Sequence, residues 1–253
     1  MEHKSTTEEY GLIGYPLGHS FSAKFFAEKF ERENINATYS NFEIPEAGEV
    51  EQIVASHPNL KGFNVTIPHK QAIIPYLSEM SEEAQAIGAV NVVRVFRDNE
   101  NNVKLKGYNS DVIGFCRSLR PRLLPQHNRA LVLGTGGASK AIVHGLRKLG
   151  ITPTYVSRTR QEGILSYEDL TAEILRENLV IVNCSPVGMY PHVDECPNIP
   201  YEYLTCKHLL FDLVYNPLET LFLKKGAQQG TITKNGLEML HLQALASWEF
   251  WHE

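Results

Sequence analysis

The chain has 253 residues, 43% of them hydrophobic and 21% charged, with a formal net charge of -5 at neutral pH. That is an ordinary globular composition, with chain enough for one to two domains, and its acidic balance argues against nucleic acid as the main partner. The opening MEHKSTTEEYG has no apolar stretch, and no later run approaches the roughly 18 apolar residues of a membrane span, which predicts a cytoplasmic protein without a membrane partner.

From Tyr10 to about Asn109 the strand-like runs YGLIGYP, ATYSNFEI, GFNVTIP, VNVVRVF and VKLKGYN alternate in their first part with helical patterns such as SAKFFAEKFERE. This predicts an α/β domain with a mixed sheet. In GFNVTIPHK, Phe63, Val65 and Ile67 alternate with Asn64 and Thr66, the period of a strand with one buried and one polar face. Pro68 ends that strand and suits a helix start, so Lys70 falls in the first turn of the next helix. The positive end of a helix disfavours a cation by some tenths of a kcal/mol, which makes Lys70 a candidate functional residue as well as a solvated one.

After the Pro-rich stretch PRLLPQHN, the run RALVLG reads as a buried strand, GTGGASKAIVHGLRKLG as a Gly-rich turn opening a helix, and TPTYVS as a second strand. This β-α-β unit, with the further apolar strands LVIVNCS and KHLLFDLVY, predicts a doubly wound, Rossmann-like domain. Gly134, Gly136 and Gly137, followed by Ala138 and Ser139, suit a pyrophosphate at a helix N-terminus. Ser139 stands where the usual fingerprint has its third glycine. At the end of the second strand come Ser157, Arg158, Thr159 and Arg160 where an NAD site would carry a carboxylate, so the expected cofactor is NADP, its 2'-phosphate held by charge-assisted bonds. The closing NGLEMLHLQALASWEFW has Leu237, Leu240, Leu245 and Trp248 at helical spacing and is expected to return to the first domain. The expected division is 1–108 with 236–253 as the substrate-binding domain and 109–235 as the NADP-binding domain, joined twice around a cleft.

Cys116, Cys184, Cys196 and Cys206 form no CxxC pair and are read as free, buried or half-buried thiols; no metal is assigned. The polar segments GYPLGHSFS, NVTIPHK, GAVNVV and GYNSD place Ser20, Ser22, Asn64, Thr66, Lys70, Asn91, Asn109 and Asp111 at strand ends and helix starts. Each alone can be a cap, but as a set they point to a small, hydroxyl-rich ligand.

With these segments in this order, followed by GTGGASKA, SRT, NCSPVGM, DLVYNP and NGLEML with a later Gln, the chain resembles the shikimate dehydrogenase family over nearly its whole length. The resemblance implies reversible NADPH-dependent reduction of 3-dehydroshikimate to shikimate. It further implies that Ser20 and Ser22 bind the substrate carboxylate with help from Tyr215, that Asn64, Thr66, Asn91, Asp111 and Gln243 hold ring hydroxyls or their neighbours, and that Lys70 is catalytic with Asp111 beside it. Met189 and Gly236 would lie against the nicotinamide. The chemistry agrees: hydride delivery to a ketone makes an alkoxide, which needs a cation or proton donor such as Lys70.

Two departures stand out. QEGILSYEDL leaves little room for a full crossover helix after SRT, so the adenosine pocket is expected to be more open, and Cys184 and Ser185 replace two threonines. The expected protein is a monomer or homodimer acting on a small-molecule substrate. A quinate/shikimate dehydrogenase and a non-catalytic NADP-responsive binding protein are the alternative readings; SRTR argues against the first, and the presence of both Lys70 and Asp111 against the second.

Overall fold

The computed structural model describes residues 6–18 and 21–253. The chain divides into two compact units, one running up to Ser110 and joined by Ala244–Glu253, the other Asp111–Gln243.

The first unit contains β1 (Glu8–Gly14), α1 (Phe21–Glu33), β2 (Ala37–Glu43), α2 (Val50–Ser56), β3 (Leu60–Val65), α3 (His69–Ala72), β4 (Glu79–Met80), α4 (Glu82–Ile87), β5 (Val92–Arg97) and β6 (Val103–Tyr108). The sheet order is β2-β1-β3-β5-β6-β4, with β5 antiparallel to both β3 and β6 and the remaining pairs parallel, so the sheet is mixed, as expected. Side chains alternate across it: Ile13, Phe63, Val65, Val93 and Leu105 enter one core, whereas Tyr10, Val92 and Tyr108 enter an aromatic cluster with Phe26, Phe30 and Trp251. Helix α4 shows how local sequence sets boundaries: Ser81 caps it by accepting from the Ala84 N–H at 3.2 Å, Glu82 and Glu83 complement its positive end, and Gly88 stops it at φ +69°.

Two expectations shift here. Strand β3 ends at Val65, and Ile67, expected on its buried face, is 75% exposed. The reason is a turn: the Thr66 N–H bonds Ile13 O, the His69 N–H bonds Thr66 O, and the Tyr15 N–H takes Ile67 O. Helix α3 then follows Pro68 as expected but is only four residues long.

The second unit contains α5 (Asp111–Leu119), β7 (Arg129–Leu133), α6 (Gly137–Lys148), β8 (Thr152–Ser157), β9 (Ile164–Ser166), α7 (Ala172–Glu177), β10 (Val180–Asn183), β11 (Leu209–Asp212), α8 (Leu221–Gln228), β12 (Ile232–Lys234) and the first part of α9 (Leu237–Trp251). All its pairs are parallel, in the order β12-β11-β10-β7-β8-β9. This is the doubly wound dinucleotide-binding order, with the reversal between β7 and β10. The continuous apolar runs of these strands reflect burial on both faces. Ala130, Val132, Val180, Val182, Leu209 and Phe211 pack with Phe115, Ile142 and Leu146, while Leu131, Leu133, Ile181 and Leu210 pack with Leu175 and Phe222.

The shortened connection after β8 takes a specific form. Residues 158–163 return directly to β9, which pairs in parallel with β8 through Tyr155 and Ile164, Val156 and Leu165, and Ser157 and Ser166. No helix intervenes, where a parallel crossover ordinarily carries one.

The two compact units part within α9, between Gln243 and Ala244. Met239 is buried in the second unit's core, whereas Ala244 and Trp251 join the first unit's aromatic cluster. One helix therefore serves two cores, and a single stripe of Leu237, Leu240, Leu245 and Trp248 does not describe it: Leu245 is 40% exposed, and the buried positions are Met239, Ala244, Ala246, Ser247 and Trp251. Cys116, Cys184 and Cys196 are half-buried thiols, but Cys206 is exposed. No helix among the described residues is long and apolar enough to cross a membrane.

Candidate active site

In the first unit, β6 runs parallel to β3 because both are antiparallel to β5. The ends of β1, β3 and β6 and the start of β5 therefore share one sheet edge. Ser22, Asn64, Thr66, Lys70, Asn91 and Asn109 all belong to that edge or to the residues just beyond it. Ser20 lies outside the described residues.

Their side chains form a connected network. The Tyr39 hydroxyl, itself hydrogen-bonded to Ser22, donates to Asn64 Oδ1 at 2.9 Å. Asn64 Nδ2 donates to Ser247 Oγ at 2.8 Å and to Asn91 O at 3.3 Å. Asn91 is buried and accepts from the Ser110 N–H at 2.7 Å while donating to Ser110 Oγ at 3.1 Å. Asn109, also buried, donates to Ala89 O at 2.9 Å. Desolvation pushes the Tyr39 phenol well above its usual range, so it remains a neutral donor. Lys70 is fixed through its main chain, its carbonyl accepting from the Val90 N–H at 2.8 Å, and through its neighbour His69, which is buried with Nε2 2.7 Å from Ile44 O. Tyr39, Ser110 and Ser247 were not singled out by the sequence; Tyr39 lay inside a strand-like run and Ser247 inside a helix, with nothing local to mark them.

In the second unit the Gly-rich turn sits at the reversal of strand order. Gly134 has φ +106°, a conformation open to glycine and strained for other residues. Gly136 precedes α6, and a Cβ there would meet no atom within 4 Å, which leaves a main-chain cradle at the start of a twelve-residue helix. Gly137 and Ala138 form the first turn of α6; Ser139 is buried and turns its hydroxyl back to Gly136 O at 2.7 Å. The turn fits the pyrophosphate of a dinucleotide. At the end of β8, Ser157 Oγ donates to Thr159 O, Arg160 pairs with Asp169 at 3.4 Å, and Arg158 and Thr159 are exposed. The Asp169 carboxyl is held below its usual range by the Ser166 N–H and hydroxyl.

Asp111 is buried in the first turn of α5, where the helix dipole favours a carboxylate. Gly114, one turn later, lets α9 approach closely: a Cβ there would stand 2.5 Å from Met239 O and 2.7 Å from Gln243 Cγ. Asp111 and Gln243 are thereby brought to neighbouring helices of this unit. Tyr215 follows β11 with its phenol pushed up by burial, Gly236 is buried with its N–H 3.2 Å from Val214 O, and Met189 is 45% exposed in the loop after β10.

The sequence reading passed over a second network. Asp212, fully buried at the end of β11, accepts from Thr220 Oγ1 at 2.6 Å, Asn183 Nδ2 at 2.9 Å and the Val214 N–H at 3.0 Å. Asn183 Oδ1 in turn accepts from the Ser185 hydroxyl at 2.6 Å and its N–H at 3.0 Å. Desolvation raises the Asp212 carboxyl to about 6 against the opposing effect of these donors. The network ties the loops carrying Ser185 to Met189 and Val214 to Tyr215 to the ends of their strands.

A mixed α/β unit with its polar side chains gathered on one edge, followed by a parallel unit of dinucleotide-binding order, defines a two-domain protein of the nucleotide-dependent α/β class. Residues 12–93 match the family model described as the shikimate dehydrogenase substrate binding domain. The chain is 38% identical to a shikimate dehydrogenase (NADP(+)) of Caldanaerobacter subterraneus, over 99% of this chain and 94% of the relative, and 36% identical to one of Desulforamulus reducens, over 97% and 90%. Among solved structures, shikimate 5-dehydrogenase from Thermus thermophilus in complex with NADP(H) and shikimate superposes with a TM-score of 0.82 at 30% identity, covering 96% of this chain and 93% of the other. The Listeria monocytogenes enzyme in complex with shikimate and NAD gives 0.86 at 27% identity, covering 100% and 94%. The chain belongs to the shikimate dehydrogenase family.

Proposed function

We infer that this chain catalyses the reversible NADPH-dependent reduction of 3-dehydroshikimate to shikimate. The observation that carries the reading is near-complete alignment, over 97% and 99% of the chain, with relatives that bear the name shikimate dehydrogenase (NADP(+)). NADP, when bound, supplies or accepts the hydride at the substrate carbon bearing the ketone or hydroxyl.

The chain's own residues do the rest. Lys70 gives a proton to the ketone oxygen in reduction and takes it back in oxidation, stabilising charge that develops on that oxygen. Asp111 accepts from a substrate hydroxyl and supports the charge of Lys70. Ser20 and Ser22, with Tyr215, bind the substrate carboxylate; Asn64, Thr66, Asn91 and Gln243 orient the ring. Gly134, Gly136, Gly137, Ala138 and Ser139 form the pyrophosphate turn, with main-chain N–H groups as donors. Ser157, Arg158 and Thr159 would hold the ribose 2'-phosphate, and Met189 and Gly236 would lie against the nicotinamide. The units are assigned as a substrate-binding and an NADP-binding domain, and the cytoplasm as the place of action.

The test is an initial-rate assay of NADPH appearance with shikimate and NADP+, run in parallel with quinate and with NAD+. Shikimate-dependent turnover with NADP+ strongly preferred is expected. Preference for quinate or NAD+ would favour the broader quinate/shikimate activity, and binding of NADP+ without turnover a non-catalytic role.

A further inference from the structure

We propose that Tyr39 and Ser247 are positioning residues for substrate recognition, fixing the Asn64 amide so that it meets the substrate with an oxygen lone pair and no free N–H. The inference rests on the reading of Asn64 as a substrate-binding residue and adds what that residue can recognise.

A primary amide has two N–H donors and two acceptor lone pairs. Both Asn64 N–H groups are directed at protein acceptors, Ser247 Oγ at 2.8 Å and Asn91 O at 3.3 Å. One lone pair of Oδ1 receives the Tyr39 hydroxyl at 2.9 Å. Among the described residues this leaves one lone pair for a ligand. The orientation is determined rather than arbitrary: rotating the amide by half a turn would set Oδ1 against the Asn91 carbonyl, which cannot donate.

Tyr39 is well placed to hold its proton in that direction. Its ring stacks on Phe26, with centroids 4.9 Å apart and planes 13° from parallel, and the ring of Trp251 lies 6.4 Å away. Burial keeps the phenol protonated, and Asn64 Oδ1 can only accept from it. Ser247 reaches the same amide from α9 across 183 positions of sequence and is itself fully buried. Asn64 is therefore an acceptor for a hydroxyl proton. It selects a ring carbon bearing a free hydroxyl over one bearing a carbonyl or ether oxygen, neither of which can donate.

The experiment compares steady-state kinetics of the wild type, Tyr39→Phe, Ser247→Ala, Asn64→Ala and the Tyr39→Phe/Asn64→Ala double variant, with far-ultraviolet circular dichroism as a check of folding. Tyr39→Phe retains the stacked ring and removes only the hydroxyl. Tyr39→Phe and Ser247→Ala should each raise the KM for shikimate ~5- to 20-fold, the range for one lost hydrogen bond, with kcat and the KM for NADP+ within ~2-fold of wild type. In the Asn64→Ala background the Tyr39→Phe change should add less than ~2-fold, because Tyr39 acts through Asn64. An undiminished Tyr39→Phe effect in that background would assign Tyr39 to Ser22 and overturn the proposal. So would parallel rises in both Michaelis constants, which a general loosening of the fold produces. An Asn64→Ala enzyme with unchanged KM for shikimate would remove Asn64 from substrate binding and the inference with it. Impairment in Asn64→Ala alone would leave the functional reading standing and sink this one.

Discussion

The edge of the first unit and the corresponding edge of the second solve the same problem, holding loops at the ends of strands, with different chemistry. Around Asn64 and Asn91 the holding groups are hydroxyls, amides and main-chain atoms, and the one titratable member, Tyr39, stays protonated because burial raises its phenol. Around β10 and β11 the loops converge on the carboxylate of Asp212, which accepts three hydrogen bonds and lies near the middle of the accessible pH range at about 6. A neutral network keeps its donor and acceptor polarity across the pH range in which the protein is folded and assayed, which suits recognition of hydroxyls. A buried carboxylate offers stronger bonds to more donors but makes the loops it holds sensitive to protons. A buried carboxylate of this kind makes the second unit, and not only a reacting group, a point of entry for pH.

The largest expected effect lies on the first-unit edge. Lys70→Ala should lower kcat ~10²- to 10⁴-fold, the range for one acid-base group, with a smaller change in the KM for shikimate. Asp111→Asn should also impair turnover, and the double variant should fall well short of the product of the single losses, because the proposed mechanism has both residues serving one proton transfer. Multiplicative losses in initial-rate assays would show that they act independently.

The second effect tests the buried carboxylate. Below about pH 4 Asp212 is protonated in both folded and unfolded chains; between about pH 4 and 6 the unfolded chain releases the proton while the folded one keeps it. Its contribution to stability is therefore fully present below about pH 4 and lost as pH rises through about 6, a fall of ~3 kcal/mol. Urea unfolding of the wild type and Asp212→Asn at a series of pH values should give a difference that declines by about that amount and then levels. A flat difference would break the contrast between the two networks.

Much of this organisation is legible in the sequence where the signal is local. The alternation of Phe63 and Val65 marks β3, Pro68 marks the start of α3, and the glycines from 134 to 137 mark the turn before α6. What escaped is what closes over distance or departs from a period. Tyr39 meets Asn64 across 25 positions and Ser247 meets it across 183, which no window of residues reveals. The alternation that placed Ile67 inside fails because the chain turns after Val65, and the apolar spacing of α9 misleads because its two ends belong to different cores. The direct return from β8 to β9 was seen only as a shortened segment, since a three-residue strand carries too few side chains to show a period.

Smaller effects sharpen the division between the units. Arg158→Ala should raise the KM for NADP+ about 10- to 100-fold, ~1.5 to 3 kcal/mol for a charge-assisted bond, and leave the KM for shikimate unchanged. Ser22→Ala should do the reverse, weakening shikimate by ~1 to 2 kcal/mol while NADP+ binding holds. Initial-rate measurements with each substrate varied in turn separate the two, and a change in both constants for either variant would blur the assignment.

The most direct measurement is amide hydrogen exchange, read by mass spectrometry, with each ligand added alone. Shikimate should slow exchange in the peptides spanning residues 62–70 and 89–92, and NADP+ in those spanning 134–139 and 157–159. Protection of the Gly-rich turn by shikimate, or of the Asn64 edge by NADP+, without protection of the expected peptides would contradict the assignment of substrate to the first unit and cofactor to the second.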